Sequence, residues 1–109
     1  MKAYEIRYTE NGKSLSDVAF ANTEKEAKNK MINSDTLFQN YEPTNSYGMK
    51  IRHIKALDDK EPLSTMKKVE ILVDKCGWYW ELKGNRYEHS NFSKMQFERD
   101  WIDQYGAEL

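Results

Sequence analysis

The side chains able to carry covalent or proton-transfer chemistry are few: one cysteine, Cys76, and two histidines, His53 and His89, far apart in the chain. A nucleophilic cysteine needs its thiolate stabilised by a helix N-terminus or a neighbouring cation. Cys76 falls at the end of a helical pattern, where the dipole disfavours an anion, and reads as a small buried hydrophobe. Neither histidine belongs to a His-x-x-x-His or Cys-x-x-Cys arrangement, so no metal site is expected. His53 belongs on an exposed or half-buried strand face, and His89 beside aromatics at a hairpin end. The pairs Asp58-Asp59 and Asp100 with Asp103 invite a two-carboxylate reading, but loops and helix surfaces produce such pairs routinely. No glycine-rich phosphate cradle or nucleophile elbow occurs. The residues point to a chain that acts without catalysis and without a cofactor.

Binding is the remaining class. Lys50, Arg52 and Lys55, with His53 between them, form a basic strand that Lys67 and Lys68 extend and to which Tyr79 adds a stacking ring, the ingredients of a nucleic-acid surface. A net charge of −1 disfavours it, because there is no excess of cations to release counterions from phosphate. The opposite signal lies in residues 88–109, where Glu88, Glu98, Asp100, Asp103 and Glu108 outweigh Lys94 and Arg99 by three charges. Such a face suits a basic groove on a nucleic-acid enzyme, where carboxylates imitate phosphates by charge.

The elements that must position these residues follow from patterning. With 109 residues the chain has room for one modest core, and 13% aromatics supply the area that sparse aliphatics do not. A single domain over 1–109 is expected. Tyr4, Ile6 and Tyr8 alternate with Glu5, Arg7 and Thr9 in a half-buried strand at 2–9, and Asn11-Gly12 turns it into a second strand at about 14–21. That pairing sets Asp17 opposite Ile6, a conflict that a bulge at Ser16-Asp17 would repair. Thr23 to Glu26 is a capping box opening a helix with Ala27, Met31 and Ser34 inward. Periodicity is lost from Asp35 to Gly48, where Glu42-Pro43-Thr44-Asn45-Ser46 has loop composition around Phe38, Tyr41 and Tyr47.

A third strand is expected at 49–56 and a second helix at 62–76, with Pro62 in its first turn and Gly77 ending it, although Val69–Val73 also suits a strand. Gly84-Asn85 marks a second hairpin. Pairing Lys83 with Arg86 places Trp78, Trp80, Leu82, Tyr87 and His89 on one face but opposes like charges, so a register shifted by one stays open. Ser93, Gln96, and Phe92 against Phe97 give the last helix its cap and staple, Trp101 and Tyr105 continue its apolar stripe, and Gly106 ends it. The sum is an α+β chain: an antiparallel sheet of two hairpins plus a further strand, packed with about three helices. No apolar run approaches the roughly 18 residues of a membrane span and the N-terminus has no secretory h-region. With a single cysteine, a cytoplasmic setting is expected.

Three segments carry a resemblance: Ala3-Tyr4-Glu5-Ile6-Arg7-Tyr8 through Asn11-Gly12 to Asp17–Ala21 and Glu26-Ala27-Lys28; Arg52–Asp58; and Gly77–Glu81 with Tyr87-Glu88. Together they resemble small accessory proteins carried by phages and prophages of Gram-positive bacteria. Some of those carry cysteines around the aromatic hairpin, suggesting a metal knuckle, and here only Cys76 is present. The resemblance implies a role in the bacterial host's cytoplasm, the best-known class being inhibitors of defence nucleases, including anti-CRISPR proteins. The mechanism expected on this reading is stoichiometric binding to a host protein such as an RNA-guided nuclease, blocking nucleic-acid loading without chemistry, with the aromatic Tyr79 and the charged Glu98, Asp100 and Asp103 as contacts. Two alternatives are a nucleic-acid-binding accessory protein using Lys50, Arg52 and Lys55, and a small virion or assembly component, which would self-associate.

Overall fold

A computed structural model of the chain describes residues 1–10, 12–39 and 48–109. The expected readings of Asn11, Tyr41, Glu42–Ser46 and Tyr47 lie outside those residues. The architecture is α+β, with three helices and two antiparallel sheets, one of three strands and one of two. The chain divides into two compact units, Met1–Glu61 and Pro62–Leu109.

In the first unit β1 (Lys2–Glu10) lies between β2 (Lys13–Ala21) and β3 (Met49–His53). Tyr4, Ile6 and Tyr8 share a face with Ala19 and Ala21, and the helix α1 (Glu24–Ile32) closes it with Ala27 and Met31. The alanines let the helix lie close on the sheet, and Met31 fills the space between them. Thr23 caps α1 by accepting from the Glu26 amide at 3.1 Å, as its sequence predicts, while the Glu26 carboxylate reaches back to the Asn22 amide. Ser34 is not part of this stripe; it follows the helix at φ 57°.

The expected bulge is absent. Register runs unbroken from Lys2 opposite Ala21 to Glu10 opposite Lys13, and Asp17 faces Ile6 with 0% exposure. A buried carboxylate survives there because its acceptor capacity is filled: the Val18 amide donates to Oδ1 at 2.8 Å, the Phe38 amide to Oδ1 at 3.0 Å and the Thr36 hydroxyl to Oδ2 at 2.7 Å. The Leu37 amide adds a bond to the Val18 carbonyl at 2.9 Å, so residues 36–38 cover the outer edge of β2.

The third strand ends at His53, three residues earlier than the pattern to 56 suggests, and Lys55–Leu57 form a 3-10 turn. Over 49–56 a continuous strand would put Ile51 and Ile54 on opposite faces; with the early end, Ile54 leaves the strand and is buried at the start of the turn. Asp58 clasps this turn to β1. It accepts from the Ala3 amide and from His53 Nε2, both at 2.9 Å, and the amide first and the imidazole second hold its carboxyl below the usual range.

In the second unit α2 (Thr65–Lys75) packs on α3 (Lys94–Tyr105), and a short ribbon, β4 (Trp80–Leu82) with β5 (Asn85–Tyr87), packs by β4 on α3. Residues 69–73 are helical. Pro62 lies before this helix: Ser64 is the cap, accepting from the Lys67 amide, so the helix starts three residues later than expected. Cys76 ends α2 but is half-buried rather than buried. The turn of the ribbon is Lys83-Gly84, not Gly84-Asn85. Both residues take positive φ, 53° and 81°, as a type I′ turn requires. Glu81 then faces Arg86, which replaces the like-charge juxtaposition by an opposite-charge one. The last helix has the predicted Ser93 cap, the Phe92–Phe97 ring contact at 5.5 Å and Gly106 at φ 79°. No helix among the described residues is long and apolar enough to cross a membrane.

Candidate functional site

The ribbon sorts its residues by pleat. Leu82 and Tyr87 point inward and are buried, while Tyr79, Glu81, Arg86 and Glu88 fall on the outer face. Tyr79 is 55% exposed. The Arg86 guanidinium lies over its ring, with Cζ 3.8 Å from the centroid, a cation–π contact. Arg86 Nε also donates to Glu88 Oε1 at 2.8 Å. Glu88 is followed by a 3-10 turn, His89–Asn91, whose Asn91 side chain donates to the Arg86 carbonyl at 2.9 Å. Turn and ribbon thus hold Arg86 through both main chain and side chain.

Around this pair opens a groove of about 350 Å³, lined by Gly77, Trp78, Tyr79, Arg86, Glu88, His89 and Ser90. His89 Nδ1 lies 2.6 Å from the Asp74 carbonyl. A carbonyl only accepts, so Nδ1 carries the hydrogen and Nε2 is the outward atom. His89 therefore stands beside aromatics, as expected, but in the 3-10 turn and not on the ribbon's inner face.

The four expected contacts do not form one patch. Tyr79 is in the groove and Asp103 is exposed on α3. Asp100 is buried against the ribbon, accepting from the Tyr87 hydroxyl and from Asn85 Nδ2, the latter at 3.2 Å. The phenol's bond holds the Asp100 carboxyl low, and burial, with Asp100 as acceptor, pushes the Tyr87 phenol up to about 12. Asp100 with Gln104, which accepts from the Lys83 amide at 2.8 Å, fixes the ribbon to α3 and so positions Arg86.

Glu98 belongs to another cluster. It accepts from Lys67 Nζ at 2.5 Å and from the carboxyl of Glu70, which is 7% exposed and whose buried Oε1 has no hydrogen-bond partner among the described residues. Burial first, and then Glu98, push Glu70 up to about 8, while Glu70 and Lys67 hold Glu98 low. The fold therefore favours protonated Glu70: its stabilisation is complete below the ordinary 4.5 and is lost as pH rises through about 8. Glu70→Gln keeps the neutral shape, so its stability should be close to the parent's near about pH 5 and exceed it by roughly 4 kcal/mol near about pH 9. Chemical denaturation at the two pH values checks this, and a variant with the parent's pH profile contradicts it.

Of the basic candidates, Lys50, Arg52 and Lys55 lie in the first unit. Lys50 and Arg52 project from β3 on the same face as Arg7, which strand pairing places opposite Lys50 and which the sequence reading missed. Arg52 Nη2 and Arg7 Nε both approach the buried Glu5 carboxylate, at 3.1 and 3.6 Å. Lys55 lies apart in the 3-10 turn, and Lys67 and Lys68 are in the second unit. Among the described residues no three His, Cys, Asp or Glu side chains gather as metal ligands. Comparison of the chain with protein-family models, with curated proteins and with solved structures gives no match.

Proposed function

We propose that the chain is a non-catalytic protein-binding module whose contact surface is the Tyr79–Arg86 groove. The observation that carries this reading is the exposed Tyr79 ring with Arg86 already stacked on it, beside Trp78 in a concave surface. Tyr, Trp and Arg dominate the energetics of protein interfaces because they bury large areas and lose little freedom when held in advance. The resemblance to phage accessory proteins makes a host defence nuclease the first partner to test, with inhibition by stoichiometric occlusion. Asp103 is an added rim charge in this reading; Glu98 and Asp100 support α3 and the ribbon.

The nucleic-acid reading gains Arg7, Lys50 and Arg52 on one sheet face. It is the weaker of the two, because both guanidinium groups face a buried carboxylate and the chain carries no excess positive charge. Affinity capture from a Gram-positive bacterial lysate separates them. The expected result is a protein retained at near-equal amount by the parent, lost with Tyr79→Ala, and unaffected by nuclease digestion. Retention that disappears on digestion, or that ignores Tyr79, overturns the proposal.

A further inference from the structure

The reading above says where a partner binds; the state of Arg86 says what that partner must carry. We propose that the groove receives a peptide segment in which an Asp or Glu side chain docks on the open edge of the Arg86 guanidinium, with a neighbouring apolar side chain packing on Tyr79. This inference rests on the protein-binding reading and narrows it to one chemistry.

A guanidinium has two forked edges, one using Nε and one using the two terminal nitrogens. In Arg86 the flat face is held by Tyr79 at 3.8 Å and Nε by Glu88 at 2.8 Å. The terminal nitrogens make no hydrogen bond to the described residues, and the side chain is 54% exposed. That edge matches a carboxylate in two parallel N–H···O bonds. Part of the ordering cost that an arginine ordinarily meets on binding is met in the free protein, because the Tyr79 ring and Glu88 already hold the guanidinium and the Asn91 bond to the Arg86 carbonyl at 2.9 Å holds the main chain beneath it.

Local charge disfavours a phosphate more strongly than a carboxylate. The groove has one fixed cation, Arg86, accompanied by Glu88, and Asp74 lies behind His89 with Oδ1 at 3.6 Å from Nδ1. No lysine lines it. A dianion finds no second fixed cation there, and a nucleic-acid backbone would carry further phosphates past these carboxylates. A single carboxylate is accommodated by the terminal edge of Arg86, with an apolar group beside it on Tyr79. The outward Nε2 of His89 and the Ser90 hydroxyl supply polar partners for the peptide's main chain.

The probes are two blocked pentapeptides, acetyl-Gly-Phe-Glu-Phe-Gly-amide and its Gln counterpart, titrated against the full chain by amide NMR shifts. The Glu peptide is expected to shift the amides of Trp78, Tyr79 and Arg86 and to bind about tenfold more tightly than the Gln peptide. Arg86→Gln should remove that preference, and Arg86→Lys, which keeps the charge without the fork, should restore little of it. Far-UV circular dichroism on both variants shows that the loss is not unfolding. Equal response to the two peptides, absence of any shift, or full rescue by Arg86→Lys overturns the inference. If a lysate protein is captured in a Tyr79-dependent way while these outcomes occur, the carboxylate inference alone fails; if nothing is captured through Tyr79, the protein-binding reading fails with it.

Discussion

Asp17→Ala is expected to cost about 4 kcal/mol, because hydrogen bonds to a charged acceptor are worth about 1.5–3 kcal/mol each and their removal strands buried donors. The Phe38 amide and the Thr36 hydroxyl would lose their acceptor, and with it the tie that holds residues 36–38 along β2. A domain with about 5–15 kcal/mol of total stability would lose a large share of it. Asp17→Asn separates hydrogen bonding from charge. Both amides donate to Oδ1, which asparagine retains, and the Thr36 hydroxyl can turn to accept from the new Nδ2. The Asn variant should therefore cost about 1 kcal/mol or less. Urea titrations of the two variants measure both values, and an alanine variant as stable as the asparagine one contradicts the account.

Asp17 also marks where sequence reading stops. On local pattern an acid facing Ile6 is an error, and a bulge is the local way to correct it. The correction used by the molecule comes from Thr36 and Phe38, far along the chain, and no periodicity announces it. The last helix is the reverse case. Its cap, staple and terminating glycine all lie within a few residues of the segment they define, and each is found in place. The ribbon is intermediate: Gly84 signals a turn, but its placement depends on Lys83 accepting positive φ, on Glu81 meeting Arg86 and on Asp100 receiving Asn85 and Tyr87. Which carboxylates on α3 face outward is decided by what packs there. That is why Asp100 and Asp103 look alike in sequence and differ in burial, and why Arg86 emerges as Tyr79's neighbour only once the register is known.

The second large effect belongs to Trp101, which is 1% exposed and is ringed by Trp80, Phe97 and Tyr105 at 5.8, 5.9 and 4.5 Å between centroids. Its indole N–H donates to the Ala107 carbonyl at 3.0 Å, which binds the chain just past Gly106 back to α3. Trp101→Ala removes the centre of this aromatic cluster and should cost about 3–5 kcal/mol. Trp101→Phe retains a ring and loses the donor together with part of the volume, so about 1–2 kcal/mol is expected. Unfolding followed by backbone ellipticity avoids the change in indole content, and an alanine variant with the parent's midpoint would refute the central placement.

Trp78, Trp80 and Trp101 are the chain's three tryptophans, and all of them fall in Pro62–Leu109. Indole emission thus originates in that stretch alone, since Met1–Glu61 contains no tryptophan. Light emission and amide hydrogen exchange, recorded on one sample, would reveal whether the stretch with the β2 clasp opens on its own schedule.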